Sequence, residues 1–159
     1  KSFLSSSEAS LLDHIKTDWD SLTREGTSPQ AVGERLYQII FPDLEINTRC
    51  RRRLRTENNV PEHISVVVLD NSEEWVGCPF IKYNLCDDSA FAAREQRVSI
   101  CHPYDELLGS HLFQIKNSHK NITVEVTGLV CHLAADHSFF PGDSGRVEPL
   151  EIARAIELI

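Results

Sequence analysis

The hydrophobic pattern of this chain changes character near Asn58-Asn59-Val60-Pro61, and that change limits the fold more than any other feature. Before it, apolar residues recur at helical spacing. After it, they gather in short β-branched runs typical of strands. This pattern favours a helical head followed along the chain by a sheet with further helices.

Upstream of the change, Ser5-Ser6-Ser7-Glu8 offers a capping box with Ser5 as the cap. Leu11, Leu12, Ile15, Trp19 and Leu22 then form one helical stripe, and Gly26 is a stop signal. Ser28-Pro29 restarts a helix, with a cap followed by proline at the first helical position. Val32, Leu36, Ile39 and Ile40 make its apolar face, and Pro42 ends it because proline disfavours helix in the preceding residue. A third helix is predicted over 43–55, with Ile46, Cys50 and Leu54 on one face.

Downstream, Ile64-Ser65-Val66-Val67-Val68-Leu69 reads as a strand, and its near-continuous apolar character predicts burial on both faces. A short helix over 90–96, a strand over 97–101 and a short helix from His102-Pro103 are expected next. Leu112–Ile115 and Ile122–Val126 are placed to form a hairpin about the polar loop 117–121. Ile122, Val124 and Val126 alternate, as a half-exposed strand requires. Residues 128–140 fit strand and helix equally. Pro149 opens a last helix with Ile152, Ile156 and Ile159 facing inward. The expected architecture is a single domain over 1–159, of α+β or α/β class. An N-terminal helical segment, 1–57, packs on a small mixed sheet with flanking helices, 61–159.

Composition narrows the function classes. The net charge of −8 arises wholly within residues 61–159, since 1–60 are balanced. An acidic body repels phosphate, so nucleic acid and anionic membrane surfaces are unfavourable partners. No apolar run approaches the roughly 20 residues that span a bilayer. The five cysteines form no tight spacing pattern, which favours a reducing, cytoplasmic (intracellular) setting over a disulfide framework. The local exception to the acidic body is Arg49, Arg51, Arg52, Arg53 and Arg55, five arginines within seven residues. Such a cluster suits an acidic protein partner or a phosphate-bearing ligand.

The densest chemistry lies in Cys131-His132-Leu133-Ala134-Ala135-Asp136-His137. On a helix, residues 132 and 136 share a face, whereas 137 lies about 140° round from 132. The i, i+4 histidine pair of metalloproteases is therefore missing. His132, His137 and Cys131 are the candidate metal ligands, with zinc the candidate cofactor and Cys78, Cys86, Cys101 and His102 as further donors. Cys101 and His102 beside Cys131 and His132 would make a thiolate–imidazole couple if their two strands were neighbours.

Two stretches resemble the CHAT-type, caspase-like proteins. The first runs from Ser28-Pro29 through Gly33, Leu36 and Phe41-Pro42 into the basic helix and the strand at Ile64–Leu69. The second is the run Ile122–Val130 ending in Cys131-His132, followed by a loop and Gly145 to Ile152. It is similar to that family's pattern of strand, catalytic histidine, loop and helix. The resemblance implies a catalytic role for His132. It departs from the family at Leu133, where glycine is usual, and in the family's nucleophilic cysteine, which belongs to a later strand.

The leading expectation is a non-catalytic protein-interaction or regulatory module that uses the helical head and the arginine cluster. The alternative is a cysteine- or metal-dependent hydrolase, caspase-like or zinc-dependent, centred on Cys101, His102, Cys131, His132 and His137.

Overall fold

Among the described residues the fold is α+β, with four helices and a small antiparallel sheet, the N-terminal helices ahead of the sheet. It is taken from a computed structural model that describes residues 8–41, 60–70, 111–141 and 148–159. The expected helices over 43–55, 90–96 and from His102, and the strand over 97–101, lie outside the described residues.

Helix α1 spans Glu8–Arg24. It closes on Gly26, whose φ of +81° suits a residue without a Cβ. The Thr27 N–H donates to Leu22 O and the Gly26 N–H to Thr23 O, the paired bonds of a Schellman cap. Helix α2, Pro29–Ile40, begins as its sequence predicts: Ser28 accepts from the Ala31 N–H, with proline at the first position. Its expected apolar residues Val32, Leu36, Ile39 and Ile40 are all buried.

Strands β1 (Ile64–Asp70), β2 (Leu112–Asn117) and β3 (Ile122–Thr127) pair in that order, each antiparallel to the next. The four-residue turn between β2 and β3 places Asn121 at φ 53°, a left-handed conformation asparagine tolerates. Ile115 pairs with both Val66 and Val124, and Phe113 with Val126, so one face carries the apolar residues inward. Phe41 meets Phe113 edge-on at 5.6 Å, joining the end of α2 to the sheet.

Helix α3, Gly128–His137, resolves the ambiguity of 128–140. It buries Leu129, Cys131, His132, Leu133, Ala134 and Ala135, and a helix apolar around most of its girth belongs inside the core. Strand β3 thus ends at Thr127, and Cys131-His132 sit on a helix rather than at a strand end. Left-handed Ser138 turns the chain so that Phe139 and Phe140 enter the core, both 1% exposed. Helix α4, Pro149–Ala155, buries Ile152 and then Ile156 beyond its end.

Two sequence expectations are corrected. Strand β1 is not buried on both faces: Val67, Val68 and Leu69 are 53%, 48% and 46% exposed. Helix α4 packs on β3 and β2, and the helical cover thins toward β1 at the edge of the described sheet. The stripe of α1 is not uniformly inward either. Leu22 is buried with Asp18, while Leu12 is 68% and Trp19 45% exposed. At 100° per residue, Trp19 lies about 60° and Leu12 about 80° round from Leu22. The helix therefore docks along Asp18 and Leu22 and leaves the Leu12–Trp19 line on its open flank. No described helix is long and apolar enough to cross a membrane.

Candidate functional site

Two clusters of chemistry-bearing side chains are present among the described residues. The first is the expected one on α3. The His132 ring is 1% exposed. Its Nδ1 lies 2.8 Å from Asp136 Oδ2, the i, i+4 contact that helical geometry predicts. Its Nε2 lies 3.3 Å from His137 Nε2, and the rings meet edge to face at 4.9 Å. The ideal-helix expectation kept His137 away. The helix end departs from that ideal: the Phe139 N–H reaches back six residues to Leu133 O through left-handed Ser138. This wider closing turn accompanies the approach of His137 to His132. The contacts are consistent with one proton arrangement: His132 donates from Nδ1 to the carboxylate and accepts at Nε2 from His137. Cys131 is buried one residue before His132. Successive side chains of a helix point about 100° apart, so the two project in different directions.

Cys101 and His102, and the binding set Arg49, Arg51, Arg52, Arg53 and Arg55, lie outside the described residues.

The second cluster escaped sequence reasoning. His63 precedes β1, His119 sits in the β2–β3 turn and Glu157 follows α4. One donor atom from each comes within 4.8 Å of the others. The rings of His63 and His119 stack at 3.7 Å, 12° from parallel. His63 Nε2 lies 2.6 Å from Glu157 Oε1. The backbone beneath them is pinned, since His63 O accepts from the Ser118 N–H at 2.9 Å and from Ser118 Oγ at 3.2 Å.

Glu157 occupies an unusual place. The Leu158 N–H donates to Ala153 O and the Glu157 N–H to Arg154 O, so α4 ends in the same Schellman cap as α1. The left-handed residue is glycine at position 26 but glutamate at 157, with φ 60°. A residue bearing a Cβ pays about 1–2 kcal/mol there. The side chain supplies the compensation: its carboxylate meets His63 and also accepts from Asn117 Nδ2 at 3.3 Å. Asn117 is fully buried and also donates to Ala155 O at 3.1 Å, while its Oδ1 accepts from the Lys120 N–H. No spacing motif could have announced this cluster, because its members come from three separate element ends.

The hydrogen bond with His63, then that with Asn117, holds the Glu157 carboxyl below its ordinary value of 4.5. A depressed carboxyl contributes stability above its unfolded pKa and loses it as pH falls through the folded value. Glu157→Gln is therefore expected to lower the melting temperature near neutral pH, and the deficit should close as pH drops well below 4.5. Thermal unfolding of both proteins across that range checks this. A deficit independent of pH would mean that ionisation of Glu157 is irrelevant to the cap.

The chain matches no family model, no curated protein and no solved structure.

Proposed function

We propose that this chain is a non-catalytic protein-interaction module that binds its partner through the Leu12–Trp19 flank of α1. The observation that carries the reading is the exposure of Leu12 at 68% and Trp19 at 45% on one line of a helix, on the flank beside its docked Asp18–Leu22 line. The two residues lie about 20° apart round the axis, two turns from each other. Ile15, half-buried, lies between them along the chain. Exposed Trp is costly to hydrate and is over-represented among residues that dominate binding energy. An apolar line at i and i+7 is the pattern by which a helix enters a partner's groove. In the sequence, the five arginines within 49–55 add positive charge downstream of α2, and that composition suits an acidic partner.

A photo-crosslinking residue placed at position 19 tests the reading, with position 67 on exposed β1 as the comparison. A discrete protein adduct from position 19 that is absent from position 67 is the expected result. Adducts from position 67 alone, or from neither position, would contradict a partner on α1.

The alternative is a cysteine- or metal-dependent hydrolase of the caspase-like kind. The contact of His132 with Asp136 supports it, because a carboxylate that orients an imidazole is a common partner of a catalytic base. Thiol labelling distinguishes the two. One cysteine of unusually high reactivity, silenced by His132→Ala, would favour the hydrolase.

A further inference from the structure

We propose that His63, His119 and Glu157 form a divalent-cation site suited to Zn2+, tying together the entry to β1, the β2–β3 turn and the end of α4. Imidazole nitrogen and carboxylate oxygen together suit zinc, whereas magnesium and calcium favour oxygen donors throughout. Three protein ligands leave a fourth position for water or another ligand.

The distances permit it. The donor atoms lie within 4.8 Å of one another. A tetrahedral ion with bonds of about 2.0–2.1 Å requires its ligands roughly 3.3 Å apart. The 2.6 Å contact between His63 and Glu157 must open slightly, and the His119 ring, stacked 12° from parallel on His63, must tilt so that both imidazole lone pairs meet one ion. Both changes are side-chain rotations, since His119 and Glu157 are exposed and His63 is half-buried.

The backbone under each ligand needs no such movement. Ser118 clasps the His63 carbonyl, and His119 is the next residue of the same turn. The Schellman cap fixes Glu157, and buried Asn117 steadies its Oε1 from behind at 3.3 Å. An outer hydrogen bond that orients a ligating carboxylate is the usual companion of a metal site. The glutamate at a left-handed position also finds an explanation, because glycine there would relieve the backbone and remove the ligand.

The test is calorimetric titration of the full chain with Zn2+ alone, in wild type, His119→Ala and the control Cys131→Ser/His137→Ala. His119 is exposed in a turn and its ring touches only the face of His63 among the described ring contacts, so its removal should lower the metal-free melting temperature by only a few degrees, a baseline subtracted from the gain with Zn2+. Wild type and control should each bind one Zn2+ here and gain melting temperature from it. His119→Ala should bind at this site roughly tenfold more weakly or worse, and lose that gain. Glu157→Gln should weaken binding in the same direction. Three results would each overturn the proposal: no Zn2+ binding by wild type, equal binding by His119→Ala, or binding lost only in the Cys131→Ser/His137→Ala control.

Discussion

Gly33→Ala is expected to destabilise the fold by about 3 kcal/mol, although alanine is the better helix former by about 1 kcal/mol. Gly33 lies inside α2, where α2 presses on α3. A Cβ built there would stand 2.3 Å from the Ala135 nitrogen and 2.7 Å from its Cα. Both neighbours are helix backbone, which cannot rotate aside as a flexible side chain would. The two helices must separate, and α3 carries Cys131, Leu133 and Ala134 into the core, each 0% exposed. A gap opened along such a close contact forfeits dispersion over the whole interface. For a chain of this size the loss corresponds to a fall of roughly 6–12 °C in melting temperature. Thermal or urea unfolding measures it directly. A variant as stable as wild type would mean that α2 and α3 are not in close backbone contact at this point.

Asn117→Ala is expected to cost a similar amount, about 3 kcal/mol, through polar groups rather than volume. The amide is 0% exposed and serves three elements at once. Its Nδ2 donates to Ala155 O and Glu157 Oε1, and its Oδ1 accepts from the Lys120 N–H at 3.0 Å. Alanine leaves the carbonyl at the end of α4 and the amide of the β2–β3 turn without these partners, and a buried polar group left unpaired costs about 1–3 kcal/mol. Asn117→Asp separates the contributions. It keeps the acceptor for Lys120 but loses the donor and sets a second carboxylate against Glu157. Its deficit should therefore shrink at acidic pH, whereas that of Asn117→Ala should change far less. Equal stability of Asn117→Ala and wild type in urea unfolding would rule out the amide as the link between hairpin and α4.

How much of this was legible in the sequence depended on how local the cause was. Ser28-Pro29 caps α2 through an oxygen three residues from the N–H it accepts, so the start of that helix could be read directly. The alternation Ile122, Val124, Val126 and the polar loop before it located the hairpin for the same reason. The stripe on α1 was legible as a helix but not in its orientation, because the choice of Asp18 and Leu22 as the docked line depends on what α2 and α4 present to it. The run Ile64–Leu69 suggested two buried faces, and only the position of β1 at the edge of the described sheet leaves Val67–Leu69 open. His132 and Asp136 could be paired from their spacing, while His137 joined them through a non-ideal helix end. His63, His119 and Glu157 stand far apart in the chain, and only the closure of the sheet against α4 brings them together. Glutamate at a position where glycine is favoured becomes a clue once φ is known, and φ cannot be read from composition.

The most direct measurement of the central claim, that the flank of α1 is the binding surface, is the affinity of wild type and Trp19→Ala for the protein captured at position 19. Truncating a dominant interface Trp costs about 2 kcal/mol or more, so roughly a 30-fold loss of affinity is expected, measured at a temperature where both proteins are fully folded because Trp19 is 45% exposed and partly packed. Equal affinity of the two proteins would contradict the claim and place binding elsewhere on the molecule.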